Sequence, residues 1–280
     1  MLRTLTTTAA LVLTAFSLAV PAQRFTPAEG ADPLHVPFDQ LLDSNVRDGL
    51  VYYRALRSER GRLDRYIASL NVPAQTYSGW SKEQQIAFWL NAYDAFVLET
   101  VVDNYPIRAR LATFPANSIK QIAGAFEGTK HRAAGRMVTL DEIEKTILPE
   151  FKDPRVYFAL GRGAMSSGRL RSEAYTAQRL RAQLESVQKE FVNYQEMVQV
   201  DRVANTMSVT PIFSWRDTEF VAAYDPGESG TFAQRSPIER AIIAFVMPSL
   251  LSLEKELLQK NQFKVQFHQF DWRLNDLSGR

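Results

Sequence analysis

Cysteine is absent from all 280 residues, which removes disulfides, thiolate nucleophiles and cysteine-held metals together, so stability must come from buried apolar surface. Histidine is scarce: His35, His131 and His268 are the full set, scattered without metal-ligand spacing, so no metal and no cofactor is expected. Charge excess is small. Thirty-three Lys and Arg against thirty-one Asp and Glu leave +2, which supports no global attraction to nucleic acid. Apolar runs long enough to span a membrane are lacking as well. The charge-free run Thr8 to Val20 is shorter than the roughly 20 residues a bilayer requires. With Arg3 before it, and Val20 and Ala22 as small residues after it, residues 1–22 read as a signal peptide cut after Ala22. Export to the periplasm or the extracellular space is expected, with no stable membrane insertion once the signal is removed.

What the chain does contain is material for one large core, 45% hydrophobic residues including 11% aromatic. Residues 23–37, with three prolines and few large apolar groups, read as a flexible leader, and residues 38–280 as one globular domain. The domain is organised around Ser81 to Pro106. Ser81 and Gln84 have capping-box spacing, Pro106 is a hard stop, and between them apolar residues cover most of the helix circumference. That pattern predicts a central helix buried on several sides. Asn91 and Asp94 interrupt the run on one face and need buried partners, so they are expected to form a structural polar core, together with Asp271 and Asn275 near the end of the chain.

Around this helix the spacing predicts a short helix over Asp39 to Val46 ending at Gly49, and another over Ala55 to Leu70. An amphipathic helix is expected over Ser118 to Phe126 and a hairpin arm over Thr129 to Met137. Thr139 with Glu142 repeats the capping box, and Ser236, Pro237 and Glu239 combine an N-cap, a first-turn proline and a third-position acid. Pro248 is expected to kink or split the helix that follows. Val156 to Leu160 reads as a core strand, Met197 to Val209 as a strand pair, and Phe263 to Phe267 as a half-buried closing strand. The fold class is therefore α+β, a mainly helical single domain with a small sheet.

Chemistry is expected at Gly161 to Arg171, where three glycines lie within eight residues and a helix follows. From Pro154 to Ala182 there are six arginines and one acid, Glu173, and guanidinium forks match carboxylate and phosphate oxygens. Arg162, Gly163, Ser166, Ser167, Arg169 and Arg171 are the candidate anion-binding residues. The competing reading is that these arginines pair with acids elsewhere in the fold. Ser166 and Ser167 are the candidate nucleophiles, although a serine needs a base in reach and a turn serine is ordinarily only a turn residue. Asp141, Glu142 and Glu144 sit in the first turns of a helix, where its dipole accounts for them without chemistry.

The run FWLNAYDAFVLETVVDNYP, the segments TLDEIEKTIL, DPRVYFAL and SEAYTAQRLRAQLE, and the terminal DWRLND together resemble, in order, the family catalogued as domain of unknown function 547, over roughly residues 38 to 277. The resemblance implies a family pattern with histidines near Glu144 and in the DPRVYFAL segment, and two cysteines around a Gly/Ser turn. Lys145, Tyr157, Arg162, Ser167, Gly168 and Arg169 stand at those positions here, and Asp94 stands where the family usually has Asn. A member lacking the thiol and imidazole groups is expected to be non-catalytic, binding an anionic or polar ligand or an envelope protein through the Gly161–Arg171 loop. The rival expectation is a hydrolase of an envelope or extracellular polymer using Ser166 or Ser167.

Overall fold

The structure, a computed structural model, describes residues 32–279; the expected signal peptide and the leader up to residue 31 lie outside them. His35 is buried and bonded through Nδ1 to the Tyr66 hydroxyl, so the folded part begins a few residues earlier than the leader reading places it. Helix α1 (Val36–Asn45) carries Pro37 in its first turn. It stops short of Gly49 because Asp48 and Gly49, at φ 52° and 81°, form the tight turn that joins β1 (Val46–Arg47) to β2 (Leu50–Val51). Two helices, α2 (Tyr53–Ser58) and α3 (Arg60–Ser69), replace the single one expected over Ala55 to Leu70. A short α4 (Ala74–Ser78) leads to the central helix.

Helix α5 (Lys82–Asn104) begins with the expected reciprocal cap. Gln84 N–H donates to Ser81 Oγ, and Ser81 N–H donates to Gln84 Oε1. Every residue from Ile86 to Leu98 is buried, which explains why the apolar pattern shows no single stripe. The Ser118 to Phe126 stretch forms only a 3-10 turn, Ile119–Gln121. Gly124 turns the chain at φ 69°, and its carbonyl accepts from Gly128 and Thr129 rather than continuing a helix. The hairpin arm is present as β3 (His131–Ala133) and β4 (Arg136–Val138).

The second capping box, Thr139 with Glu142, starts α6 (Leu140–Glu142). This helix widens at once into a π-helical turn, Ile143–Ile147, and closes as a 3-10 turn, Leu148–Phe151. The expected core strand at Val156 to Leu160 is instead α7 (Val156–Ala159). The amides of Val156, Tyr157 and Phe158 bond back to the carbonyls of Asp153, Pro154 and Arg155, and a short run buried on every side carries no periodicity to separate strand from helix.

Helix α8 (Leu180–Val192) follows, then the antiparallel pair β5 (Val198–Asp201) and β6 (Thr206–Val209), helices α9 (Ile212–Trp215) and α10 (Asp217–Tyr224), and α11 (Pro237–Val246) behind its Ser236 capping box. Pro248 splits that helix from α12 (Ser252–Gln259), as expected. The closing strand β7 (Lys264–Phe267) adds parallel to β6, giving a sheet of order β5-β6-β7. The molecule is a mainly helical α+β domain whose core is one buried cluster running from Phe38 to Leu274. Around α7, the rings of Phe158, Phe191, Phe213, Phe220 and Phe245 pack on one another. Burial of each such side chain contributes about 1.5–3 kcal/mol. Among the described residues, no helix is long and apolar enough to cross a membrane.

Candidate functional site

Asn91 and Asp94 on α5 are the inner wall on which the glycine-rich loop is built. Asn91 Oδ1 accepts from Tyr175 N–H and its Nδ2 donates to Tyr175 C=O, both at 2.9 Å. One amide thus binds both polar groups of a passing backbone residue. Asp94 Oδ1 accepts from Gly161 N–H at 2.8 Å. Burial pushes the Asp94 carboxyl up to about 8, against the opposing pull of the Gly161 hydrogen bond and of Arg162. The far end of the chain locks the same region. Asn275 Oδ1 accepts from Tyr53 Oη and its Nδ2 donates to Gly49 C=O. Asp271 C=O accepts from Ser166 N–H, and Asp271 N–H donates to Ser166 Oγ.

These contacts consume the loop's own donors. Gly161 N–H is held by Asp94, Met165 N–H by Arg273 C=O, Ser166 N–H by Asp271 C=O and Ser167 N–H by Ala164 C=O. Ser167 Oγ donates to Ala164 C=O, and among the described residues neither serine hydroxyl is hydrogen-bonded to a histidine or a carboxylate. Both serines are tied as turn residues. The loop also does not feed a helix, because α8 starts only at Leu180. Gly163, at φ 65°, and Gly168 are there for geometry. A Cβ on Gly168 would lie 1.7 Å from the Phe158 carbonyl oxygen, so loop and α7 touch backbone to backbone.

The arginine surplus of this stretch dissolves in three dimensions. Arg155 is paired with Asp153, Arg169 with Asp48, Arg171 with Glu173 and Glu190, Arg179 with Glu173, and Arg181 with Glu185. Arg169, Arg171 and Arg179 line an open, 410 Å³ surface hollow with Asp48, Glu173 and Glu190, three charges of each sign. Arg162 alone points into the protein, 2% exposed.

Arg162 defines a second cleft that the sequence does not announce. Its Nε and Nη2 donate to the two oxygens of Glu144 at 3.1 and 2.9 Å, and its Nη1 donates to Tyr157 C=O. Glu144 also accepts from Tyr93 Oη at 3.1 Å and from Arg216 Nη2 at 3.0 Å. Burial alone would raise the Glu144 carboxyl, but the charges and hydrogen bonds of Arg162 and Arg216 outweigh it and hold it down at about 2. It is a permanent anion clamped between two guanidiniums, with its lone pairs taken, and is unsuited to act as general acid or nucleophile.

The cleft, of 430 Å³, is lined by these groups together with Lys120, Asp141 and Lys145 and by the rings of Phe126, Trp215 and Trp272. Lys120 Nζ lies over both Phe126 and Trp272, at 4.6 and 4.7 Å. The Arg216 guanidinium lies over the Tyr157 ring at 5.0 Å. Its Nε is buried with no hydrogen-bond partner among the described residues, a state that costs about 1–3 kcal/mol. Lys120, Lys145, Arg162 and Arg216 face Asp141 and Glu144 in the lining, and Glu219 pairs with Arg216 from just outside it at 4.0 Å, so one positive charge, that of Lys120, has no acid of its own among the described residues. Glu144 and Lys145 occupy the π-helical turn after the second capping box, a distortion frequent where a helix supports a site.

Sequence reasoning found Arg162 but missed its partners. Glu144 looked like an ordinary first-turn acid, and Arg216, in a different part of the chain, carried no local signal. Among the described residues no group of three or more His, Asp or Glu is placed to hold a metal ion. Neither the curated proteins nor the solved structures gave a match to the chain. Part of this architecture does have a match: residues 77–192, which include α5, the turn bearing Glu144 and Lys145 and the loop bearing Arg162 but not Trp215, Arg216 or Trp272, match the family described as Protein of unknown function, DUF547.

Proposed function

We propose that the protein binds an anionic ligand without transforming it, in the cleft where Arg162, Glu144 and Arg216 meet Lys120 and the tryptophans. The observation that carries this is the cleft's charge. Four cationic side chains face two carboxylates in the lining and Glu219 just outside it, so the positive charge of Lys120 is left without an acid among the described residues. An anionic ligand in the cleft offsets that charge and accepts from the lining's outward-facing cationic donors. Of the loop residues singled out by sequence, Arg162 takes part by holding Glu144, while Arg169 and Arg171 stand outside with acids of their own. A non-catalytic role fits the engaged hydroxyls of Ser166 and Ser167 and the clamped state of Glu144.

Calorimetric titration of inorganic phosphate and of citrate into wild-type, Lys120→Gln and Arg216→Gln proteins tests the reading. Binding to the wild type, weakened by about tenfold in each variant as expected for loss of one charge-assisted contact, supports it. Absence of binding by any anion overturns it. Export rests on the residue pattern of the first 22 positions. Secretion of a chain whose first residue is Gln23 supports it, and retention of the intact amino terminus inside the cell contradicts it.

A further inference from the structure

The cleft's walls say more about its occupant than charge alone. Its lining joins three aromatic rings to charged groups of both signs and, among the described residues, includes no aliphatic side chain. An inorganic anion would use the cations and leave the rings and the carboxylates idle. A purely aromatic acid would stack and ion-pair, yet bring no donors for Asp141, which is partly exposed at the cleft and whose salt bridge to Lys145 occupies one oxygen. A ligand that uses every wall has a carboxylate, several hydroxyls around its edge and a C–H face.

The rings are arranged to offer such a face. Lys120 already covers Phe126 and Trp272, whereas Trp215 is 41% exposed while packing on Phe270, at 4.9 Å between centroids, and lying near parallel to Trp272 at 6.3 Å. What sets Trp215 apart from other exposed apolar side chains such as Val203 and Leu251 is its place in the lining of a charged cleft, where a tryptophan offers both an apolar face and a polar edge. The 430 Å³ cleft also falls in the range of small-molecule sites, roughly 300–1,000 Å³.

Resting on the reading of this cleft as an anion site, we propose that its ligand is a carboxylated saccharide, a short oligouronate. Its carboxylate meets Arg216 and Lys120, its hydroxyls donate to Asp141 and accept from Lys145, and a sugar ring lies on Trp215. The assignment names a substrate class by chemistry: acidic hydroxylated rings are taken, and neutral sugars and small inorganic anions are held less tightly.

The test titrates trimers of galacturonate, glucuronate and mannuronate, neutral maltotriose and inorganic phosphate into the full-length folded protein by calorimetry, and repeats the series with Trp215→Ala, whose half-exposed side chain can be removed without opening the core. At least one uronate trimer is expected to bind about tenfold more tightly than maltotriose and phosphate. Trp215→Ala is expected to weaken it by about tenfold, the scale of one lost stacking contact, while leaving phosphate affinity within about twofold. If phosphate binds as tightly as every uronate, or Trp215→Ala leaves uronate affinity unchanged, the saccharide assignment falls and the anion reading stands. If no anion binds, both fall.

Discussion

Replacing Asp94 by Asn should separate stability at neutral pH from everything else this side chain does. The Asp94 carboxyl is fully buried on α5, accepts one hydrogen bond from Gly161 N–H, and is raised from its ordinary 3.8 to about 8, burial being the main cause. Because the folded-state value lies above the unfolded one, the neutral form is the one that folds. Its contribution is fully present below pH 3.8 and is lost as pH rises towards 8, at about 1.4 kcal/mol per pH unit. Asn keeps the acceptor for Gly161 and has no charge to desolvate. Urea denaturation of both proteins at pH 5, 6 and 7 should show the Asp94→Asn variant gaining on the wild type by about 1.4 kcal/mol at each step, roughly 3 kcal/mol in all. The comparison is needed because His35, pushed down from 6.5 to about 4 by its burial, gives the wild type an opposite slope between those two values that hides Asp94 in a single profile. A stability difference that stays constant across the three pH values would refute the reasoning.

Glu144→Gln removes the anion shared by Arg162 and Arg216 and should cost about 3–5 kcal/mol in chemical denaturation, the usual penalty for breaking a buried ion pair from one side. Gly168→Ala places a methyl on the Phe158 carbonyl and should destabilise by about 1–3 kcal/mol or more, read as a drop in melting temperature. Arg169→Ala removes an exposed pair with Asp48 worth about 0–1 kcal/mol, whereas Arg171→Ala breaks a partly buried set of bonds to Glu173 and Glu190 and should cost more. Arg169→Ala should leave the melting temperature close to wild type and both variants should leave anion affinity unchanged, and a large loss of affinity would return the site to the outer loop.

The parts legible in the sequence are those written in local chemistry. Three capping boxes start α5, α6 and α11, the hard stop at Pro106 ends α5, and the polar pair Asn91 and Asp94 does serve a buried network. The misreadings come from the same locality. Val156 to Leu160 is buried on all sides, so its apolar run carries no period, and the helical turn is set by what surrounds it. Composition counted six arginines between Pro154 and Ala182 as a surplus, whereas Asp48, Glu144 and Asp153 neutralise three of them from outside that window. The cleft combines side chains from Lys120 to Trp272, a separation at which spacing carries no information.

The most direct measurement is a crystal structure of the protein with an anion bound, grown in phosphate and, separately, in a uronate trimer. An anion oxygen is expected about 2.7–3.2 Å from the Arg216 guanidinium, beside Lys120 and Trp215. An anion seated at Arg169 and Arg171 instead, with the Arg216 cleft empty, would contradict it.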